Sequence, residues 1–345
     1  MNSNNIITRE SIESILYSNS FYKENIPGVS ISVINNNNSN DHNKSNNYNN
    51  NNNDNYIIDN YAIGLARFLT NEYMTEHHYL QCASLSKTIA AAFSIDYFNK
   101  RNISMTTSVN ALLRSIHSQW IITSSSSSSN SSHCTYDPEE VTLSMLINHT
   151  ALGMHYVYGI PFTQSLTLQP LQLLDGTYSH IGYKPLVLDR YPGVRFSYSG
   201  GGFVVLQYLL ETMEGKSIDE MTREYLNGCG LHEFTFTQSK ATSSSSSSVL
   251  IAYGHKSLQE EVMPLVFPPL AAGALCPSSS LASFLVHLTT AYHNKNDGSG
   301  SISYDVARQM LGEDSMIDLG AFDFMGAQVV YDDTLLSITY HFYRS

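Results

Sequence analysis

The feature that most constrains this 345-residue chain is an alanine-rich apolar run headed by a serine and a lysine. Residues 81–93 have the sequence QCASLSKTIAAAF, with no helix breaker after Lys87. Because alanine has the strongest helix preference, the run predicts a helix that starts near Ser84. Residues three positions apart share one face of a helix, so we expect the Lys87 amine to lie beside the Ser84 hydroxyl.

This pairing of a hydroxyl with an amine has a chemical interpretation. A serine hydroxyl is a poor nucleophile until a neighbouring base takes its proton. The positive end of a helix disfavours a charged lysine and so favours the neutral amine that serves as such a base. The pattern therefore indicates an acyl-transfer serine enzyme in which Ser84 and Lys87 act together. The alternative is that Ser84 is an ordinary helix N-cap.

Composition and charge exclude several classes of partner. The formal net charge of −12 argues against nucleic acid and against anionic membrane surfaces. Residues 1–9 are polar and lack the apolar segment of a secretory signal, and no apolar run reaches the length of a membrane span. We therefore expect a soluble, cytoplasmic protein with no nucleic-acid or membrane partner, and the composition leaves its oligomeric state open.

Cysteine and histidine spacing argues against a metal site. The four cysteines are scattered without C-x-x-C spacing, which makes a disulfide framework or a structural zinc site improbable. The histidine pairs His77–His78 and His149–His155 lack carboxylate or cysteine partners at metal-binding spacing. We expect neither a metal nor a cofactor.

Low-complexity tracts interrupt the pattern of strands and helices. Residues 27–34 and 56–65 have the β-branched, alternating pattern of strands, and between them residues 35–55 are almost pure asparagine and serine. The simplest interpretation is a β-hairpin with an expanded turn. Serine runs at 124–132 and 243–248 are interpreted as further loop insertions, which a fold tolerates because loop-closure entropy grows slowly with length. The chain is thus predicted to form a single domain over residues 8–345.

The remaining segments predict an α+β fold. Helices are expected at 8–17, from Ser84, and at 141–149, 202–213, 218–226 and 281–292, and strand character returns at 328–343. Strands at both ends with helices between them predict one antiparallel sheet formed by the N- and C-terminal strands, with a helical subdomain between them.

A second segment with chemical content is PGVRFSYSGGGF at residues 192–203. Tyr198 stands at a predicted turn and is followed closely by three glycines, which let the backbone approach a ligand. A nearby lysine amine would favour the phenolate, so Tyr198 is a candidate general base. The alternative is a buried aromatic residue whose hydroxyl bonds to the backbone.

The order of these segments resembles the serine β-lactamase-like hydrolases, which include class C β-lactamases, D-alanyl-D-alanine carboxypeptidases and related esterases. The similar segments are PGV at 27–29, ASLSK at 83–87, HTA at 149–151, PG at 192–193 with FSYSG at 196–200, and PLAAGAL at 269–275 followed by LASFL at 281–285. The resemblance covers nearly the whole chain outside the tracts and implies the β-lactamase/transpeptidase-like fold.

The resemblance also implies roles for individual residues. Ser84 would be the nucleophile, Lys87 its proton acceptor, and Tyr198 the base that relays a proton to the leaving group. The Ser84 N–H would supply half of an oxyanion hole. The substrate would be a small-molecule ester or amide, and water would release the acyl group from Ser84.

Three departures from the family pattern bear on function. Gly200 stands where the β-lactamases carry an asparagine that holds substrate, which favours esterase- or peptidase-like activity. Residues 151–153 (ALG) replace the expected small-Gly-Leu order. The last motif, a basic residue followed by Ser or Thr and Gly, is represented only by Arg344–Ser345 or by a remnant at His341.

The C-terminal strands and half of the oxyanion hole are therefore expected to be missing. Gly200 and Arg344 are the candidate substrate-binding residues. A second functional hypothesis is a catalytically impaired remnant or non-catalytic binding protein of the same fold. A third is a scaffold in which the asparagine and serine tracts bind partners.

Overall fold

A computed structural model describes residues 8–18, 26–36, 56–124, 136–152, 158–161, 168–236, 250–257, 260–295, 302–311, 328–332 and 335–339. Most of the asparagine-rich tract and of the first serine run, all of the second, and the C-terminal residues including His341, Arg344 and Ser345 lie outside the described residues. The alternative scaffold role of the tracts therefore stays a prediction.

The predicted N-terminal hairpin is confirmed. Strand β1 (Gly28–Asn36) pairs antiparallel with β2 (Tyr56–Arg67) in a continuous register from Gly28 opposite Gly64 to Asn36 opposite Tyr56. The short strand β3 (Glu72–Tyr73) extends the sheet from β2. Before the hairpin lies helix α1 (Arg9–Ser18), whose first turn is capped by Thr8 because the Ser11 N–H donates to Thr8 Oγ1.

Helices fill the middle of the chain, as predicted. They are α2 (Ser86–Lys100), α3 (Val109–Ser115), α4 (Leu143–Ile147), α5 (Pro170–Leu174), α6 (Gly200–Glu214), α7 (Ile218–Gly228), α8 (Pro269–Ala272), α9 (Ser278–Asn294) and α10 (Tyr304–Leu311). The pattern did not predict α3, α5, α8 and α10. Each of these four helices has eight residues or fewer, which is too short to show a clear apolar period.

The core is built around α2 and α6. The alanine run of α2 is buried on almost every side, with Ala90 and Ala92 fully inaccessible, and α6 is buried from Gly200 to Leu210. Helix α8 packs against both of them. Small residues on α2 let its neighbours approach closely, so the helix that carries Lys87 lies inside the molecule rather than on its surface.

Short strands tie distant parts of the chain to this core. Strand β4 (Leu80–Gln81) pairs antiparallel with β9 (Leu275–Cys276), which brings the segment before Ser84 beside the end of α8. Strand β5 (Ile160–Pro161) pairs with β8 (Leu265–Val266), and β6 (Gly254–Ser257) pairs with β7 (Glu260–Val262).

The terminal strands complete the α+β arrangement. Strands β10 (Gln328–Asp332) and β11 (Leu335–Thr339) form an antiparallel hairpin, and β11 lies against β1. Helix α9 packs on β1 and β2, where Ser278 Oγ lies 2.9 Å from the Oγ atoms of Ser30 and Ser32. None of the helices in the described ranges combines the length and hydropathy that a bilayer crossing requires.

The β1–β2 register predicts a strong requirement for glycine at position 64. Gly64 has φ of +81°, and an added Cβ would collide with the carbonyl of Pro27. Gly64→Ala should therefore lower the free energy of unfolding by about 2 kcal/mol or more, as measured by urea denaturation. Gly228→Ala is the matched control, because nothing lies within 4 Å of its Cβ position. Equal effects of the two substitutions would contradict the register.

Candidate active site

A tight turn presents Ser84 at the start of α2. Residues Ala83–Leu85 form one 3₁₀ turn, and α2 begins at Ser86 rather than at Ser84. The residue at the N-cap of α2 is Leu85, so the prediction that Ser84 serves as an N-cap is wrong. The turn contains a left-handed, non-glycine residue, since Ala83 has φ of 45°.

Hydrogen bonds from the neighbouring strand and helix hold this turn in place. The Cys82 N–H donates to Ala274 O at 2.9 Å, and the Ala274 N–H donates to Ser86 Oγ at 2.9 Å. Ser86 Oγ in turn donates to Ala83 O at 2.5 Å. The serine that follows Ser84 by two positions therefore stabilises the backbone, and Ser84 keeps its hydroxyl for other partners.

The three residues singled out from the sequence converge at one point. Lys87 Nζ donates to Ser84 Oγ at 3.2 Å, and the Tyr198 hydroxyl donates to the same Oγ at 2.6 Å. Lys87 Nζ also donates to Ala271 O at 2.5 Å. Since the hydroxyl of Tyr198 reaches Ser84, the alternative of a hydroxyl bonded to backbone is wrong.

The Lys87 amine lies in a desolvated position. The residue is only 6% exposed, and burial lowers the pKa of Lys87 from 10.5 to about 7. A large fraction of the amine is therefore neutral near neutral pH, as expected from the sequence. The physical cause in the structure is burial, which disfavours the charged form of the amine.

Tyr198 has the opposite shift from the one expected. Burial raises the pKa of Tyr198 to about 12, and the hydrogen bond to Ser84 offsets this only partly. The expectation that a lysine favours the phenolate is wrong, because burial of the phenol disfavours its charged form and outweighs the groups that would stabilise it. Tyr198 is a neutral phenol in the resting site, although Lys87 Nζ lies 4.9 Å from its ring centroid.

His149 lies against Tyr198, and the sequence patterns assigned it no role. Its ring centroid is 4.6 Å from that of Tyr198, and its Nδ1 accepts the Ser199 N–H at 3.1 Å. Burial, with a contribution from Lys87, lowers the pKa of His149 to about 3, so the imidazole is neutral. Its place in the HTA segment at 149–151 is the sequence signal that could have identified His149. The predicted helix 141–149 ends early, at Ile147, so His149 lies beyond the helix.

The glycines after Tyr198 have a structural explanation. Gly200 is the first residue of α6 and is buried, and Ser199 caps that helix by accepting the Gly202 N–H at 3.1 Å. A Cβ at Gly202 would press on Leu146 O, so this glycine lets α6 approach α4. Gly200 itself has no side chain to offer a substrate. The other candidate binding residue, Arg344, lies outside the described residues.

Within the described ranges, no group of three or more histidine, cysteine, aspartate or glutamate side chains is placed to hold a metal ion. The groups that the site brings together are a serine hydroxyl and, within hydrogen-bond distance of it, an amine of lowered pKa and a neutral phenol.

An α+β fold thus brings a serine hydroxyl, a lysine amine and a tyrosine phenol to one point, an arrangement in which the hydroxyl has neighbours that can exchange its proton. The sequence model of the beta-lactamase family matches residues 16–291, so the chain belongs to that family. Membership supports a serine-hydrolase-type function in general terms. No curated protein sequence is significantly similar to this chain.

Solved structures share the fold at low sequence identity. The octameric penicillin-binding protein homologue from Pyrococcus abyssi has a TM-score of 0.57 and 17% identity, over 88% of this chain and 60% of that one. A beta-lactamase/D-alanine carboxypeptidase from Pseudomonas syringae has a TM-score of 0.55 and 17% identity, over 86% and 69%. The D-amino acid amidase from Ochrobactrum anthropi SV3 has 0.60 and 13%, over 88% and 75%.

These similarities confirm the predicted β-lactamase/transpeptidase-like fold. The chain spans 60% of the length of the Pyrococcus abyssi protein.

The burial of Lys87 predicts a pH-dependent contribution to stability. Because its pKa is about 7 in the folded chain and 10.5 otherwise, the unfolded chain binds a proton that the folded chain releases between these values. Stability from this group therefore rises with pH in that window and is lost as pH falls towards 7. In Lys87→Met this titration is absent.

The free energy of unfolding of Lys87→Met relative to wild type should accordingly fall as pH rises from 7 to 9, by up to about 1.4 kcal/mol per pH unit. Urea denaturation of both proteins at three pH values in this range measures the difference. A difference that stays constant across the range would show that Lys87 is not desolvated in the folded chain.

Proposed function

We propose that this protein is a serine hydrolase that forms an acyl-enzyme at Ser84 on a small-molecule ester or amide. The observation that carries the proposal is that Ser84 Oγ lies within hydrogen-bond distance of both Lys87 Nζ, at 3.2 Å, and the Tyr198 hydroxyl, at 2.6 Å. The side chains that we propose as nucleophile, base and proton donor thus lie together before any substrate binds, which supports the proposal.

In the first half-reaction, Ser84 Oγ attacks the carbonyl carbon and its proton passes to the neutral amine of Lys87. A bond forms between Oγ and carbon, and the carbonyl electron pair moves onto oxygen. When the tetrahedral intermediate collapses, the bond to the leaving oxygen or nitrogen breaks. The Tyr198 hydroxyl protonates that leaving group and recovers a proton from Lys87, which suits a phenol with a high pKa.

In the second half-reaction, water attacks the acyl carbon and gives one proton to the neutral amine of Lys87. The bond between Ser84 Oγ and the acyl carbon breaks, and Oγ recovers the proton. We assign the Ser84 N–H as one donor for the oxyanion, because it belongs to the residue whose hydroxyl attacks the carbonyl.

The substrate preference is proposed from Gly200. An asparagine at this position would present an amide to a substrate, whereas Gly200 begins α6 and presents none. Without that amide the site has less means to hold a β-lactam. We therefore favour esters and simple amides over β-lactams.

Covalent labelling tests the enzyme against the non-catalytic alternative. A fluorophosphonate probe should label the wild-type protein at one serine, identified as Ser84 by mass spectrometry of the digest. Labelling should vanish in Ser84→Ala and persist in Ser115→Ala, an exposed serine on α3. A folded wild-type chain that takes no label would instead support a binding protein that keeps the pocket without the reaction.

Turnover of an activated phenyl ester should report the roles of Lys87 and Tyr198. The value of kcat/KM should rise with pH through an apparent pKa near 7, because the reactive form of Lys87 is the neutral amine. Tyr198→Phe should lower kcat about 100-fold or more and keep the same pH dependence. A Tyr198→Phe variant as fast as wild type would remove the phenol from the mechanism.

A further inference from the structure

Both backbone amides that flank Tyr198 donate to a single residue, His149. The Ser197 N–H donates to the His149 carbonyl at 2.7 Å, and the Ser199 N–H donates to His149 Nδ1 at 3.1 Å. Main chain and side chain of one histidine therefore hold the peptide units on either side of Tyr198.

The turn that contains His149 fixes the preceding loop as well. The Gly193 N–H donates to Thr150 O at 2.9 Å, so the loop is attached at both of its ends. Between the attachments the chain faces solvent, with Val194 78% exposed. The turn at residues 149 and 150 therefore fixes the loop at both of its ends.

The backbone of His149 has a conformation that serves this double attachment. Its φ is 61°, in the left-handed region that few side chains adopt and that histidine enters more often than most. Helix α4 ends two residues earlier, and the left-handed residue reverses the chain direction. In this conformation both the carbonyl group and the side chain of His149 face residues 197–199.

The ring of His149 also packs on the phenol that the mechanism uses. The two ring centroids are 4.6 Å apart at an interplanar angle of 35°, and the Phe203 ring lies 5.6 Å from His149. The tautomer follows from the hydrogen bond: Nδ1 accepts the Ser199 N–H, so the proton is on Nε2.

We propose that His149 is a positioning residue, which sets the Tyr198 hydroxyl against Ser84 Oγ through the Nδ1 acceptor for the Ser199 N–H. The inference rests on the proposed function, because only an acylation reaction at Ser84 has a rate that loss of the Nδ1 acceptor would lower. Misplacement of a reacting group by about 1 Å can cost as much as 100-fold in rate, so a lost anchor beside Tyr198 should slow acylation.

Three variants of His149 separate the effect of the Nδ1 acceptor from the effect of the left-handed backbone conformation. His149→Asn keeps an acceptor close to the place of Nδ1 and tolerates the left-handed conformation. His149→Leu has the same branched arrangement of side-chain heavy atoms as asparagine but no acceptor. His149→Gly relieves the left-handed conformation and has no acceptor either. All three lose the ring, so the loss of ring packing is common to them.

The rate constant for labelling of Ser84 by the fluorophosphonate probe is the first measurement. His149→Asn should react about tenfold faster than both His149→Leu and His149→Gly, at matched thermal stability. Equal rates in the three variants, or rates that follow only their melting temperatures, would overturn the proposal. If His149→Leu fails to fold, the comparison of asparagine with glycine still decides the question.

Hydrogen exchange of the Ser199 amide is the second measurement and does not depend on activity. Protection of this amide should be retained in His149→Asn and lost in His149→Leu and His149→Gly. If the wild-type chain takes no label but shows this pattern, the proposed function fails and the attachment by His149 stands. Identical exchange of the Ser199 amide in the wild type and in all three variants would show that His149 does not anchor this amide, even if the probe labels Ser84.

Discussion

The chemistry of the site depends on the burial of one amine. Lys87 is surrounded by its own helix α2, by Ala271 O of α8 at 2.5 Å and by the Phe203 ring of α6 at 5.7 Å. Removal of water from around the amine brings its pKa to about 7. Without that burial the amine would be protonated at neutral pH and could not take the Ser84 proton. The packing of three helices thus sets the pKa of the amine that lies beside the Ser84 hydroxyl.

The site also depends on two attachments between segments that are distant in sequence. The pairing of β4 with β9 places the turn at Ala83–Leu85 beside α8 and so aligns Ser84 with Lys87. The turn at His149 attaches the loop that carries Tyr198. The pairing of β4 with β9 positions Ser84, and the turn at His149 positions Tyr198. The Tyr198 hydroxyl then lies 2.6 Å from Ser84 Oγ.

Predictions that rested on local patterns were confirmed, and those that rested on surroundings were not. The β1–β2 hairpin and the helices α2, α6, α7 and α9 follow from alternation, alanine content and apolar spacing. Ser84, Lys87 and Tyr198 do lie together. The expected phenolate at Tyr198 was wrong, because desolvation raises the pKa of Tyr198, and desolvation also lowers the pKa of Lys87. Desolvation depends on neighbours that no local pattern specifies.

The amino-acid sequence by itself determined the family fold and which hydroxyl, amine and phenol were available, since helix and strand preferences and motif order are local properties of the chain. Tertiary structure alone decided that Ser84 lies in a 3₁₀ turn before α2 and that the Lys87 amine is buried. It also decided that His149 accepts hydrogen bonds from the amides on both sides of Tyr198. Each of these depends on contacts between residues far apart in the chain, and such contacts exist only after the helices have packed.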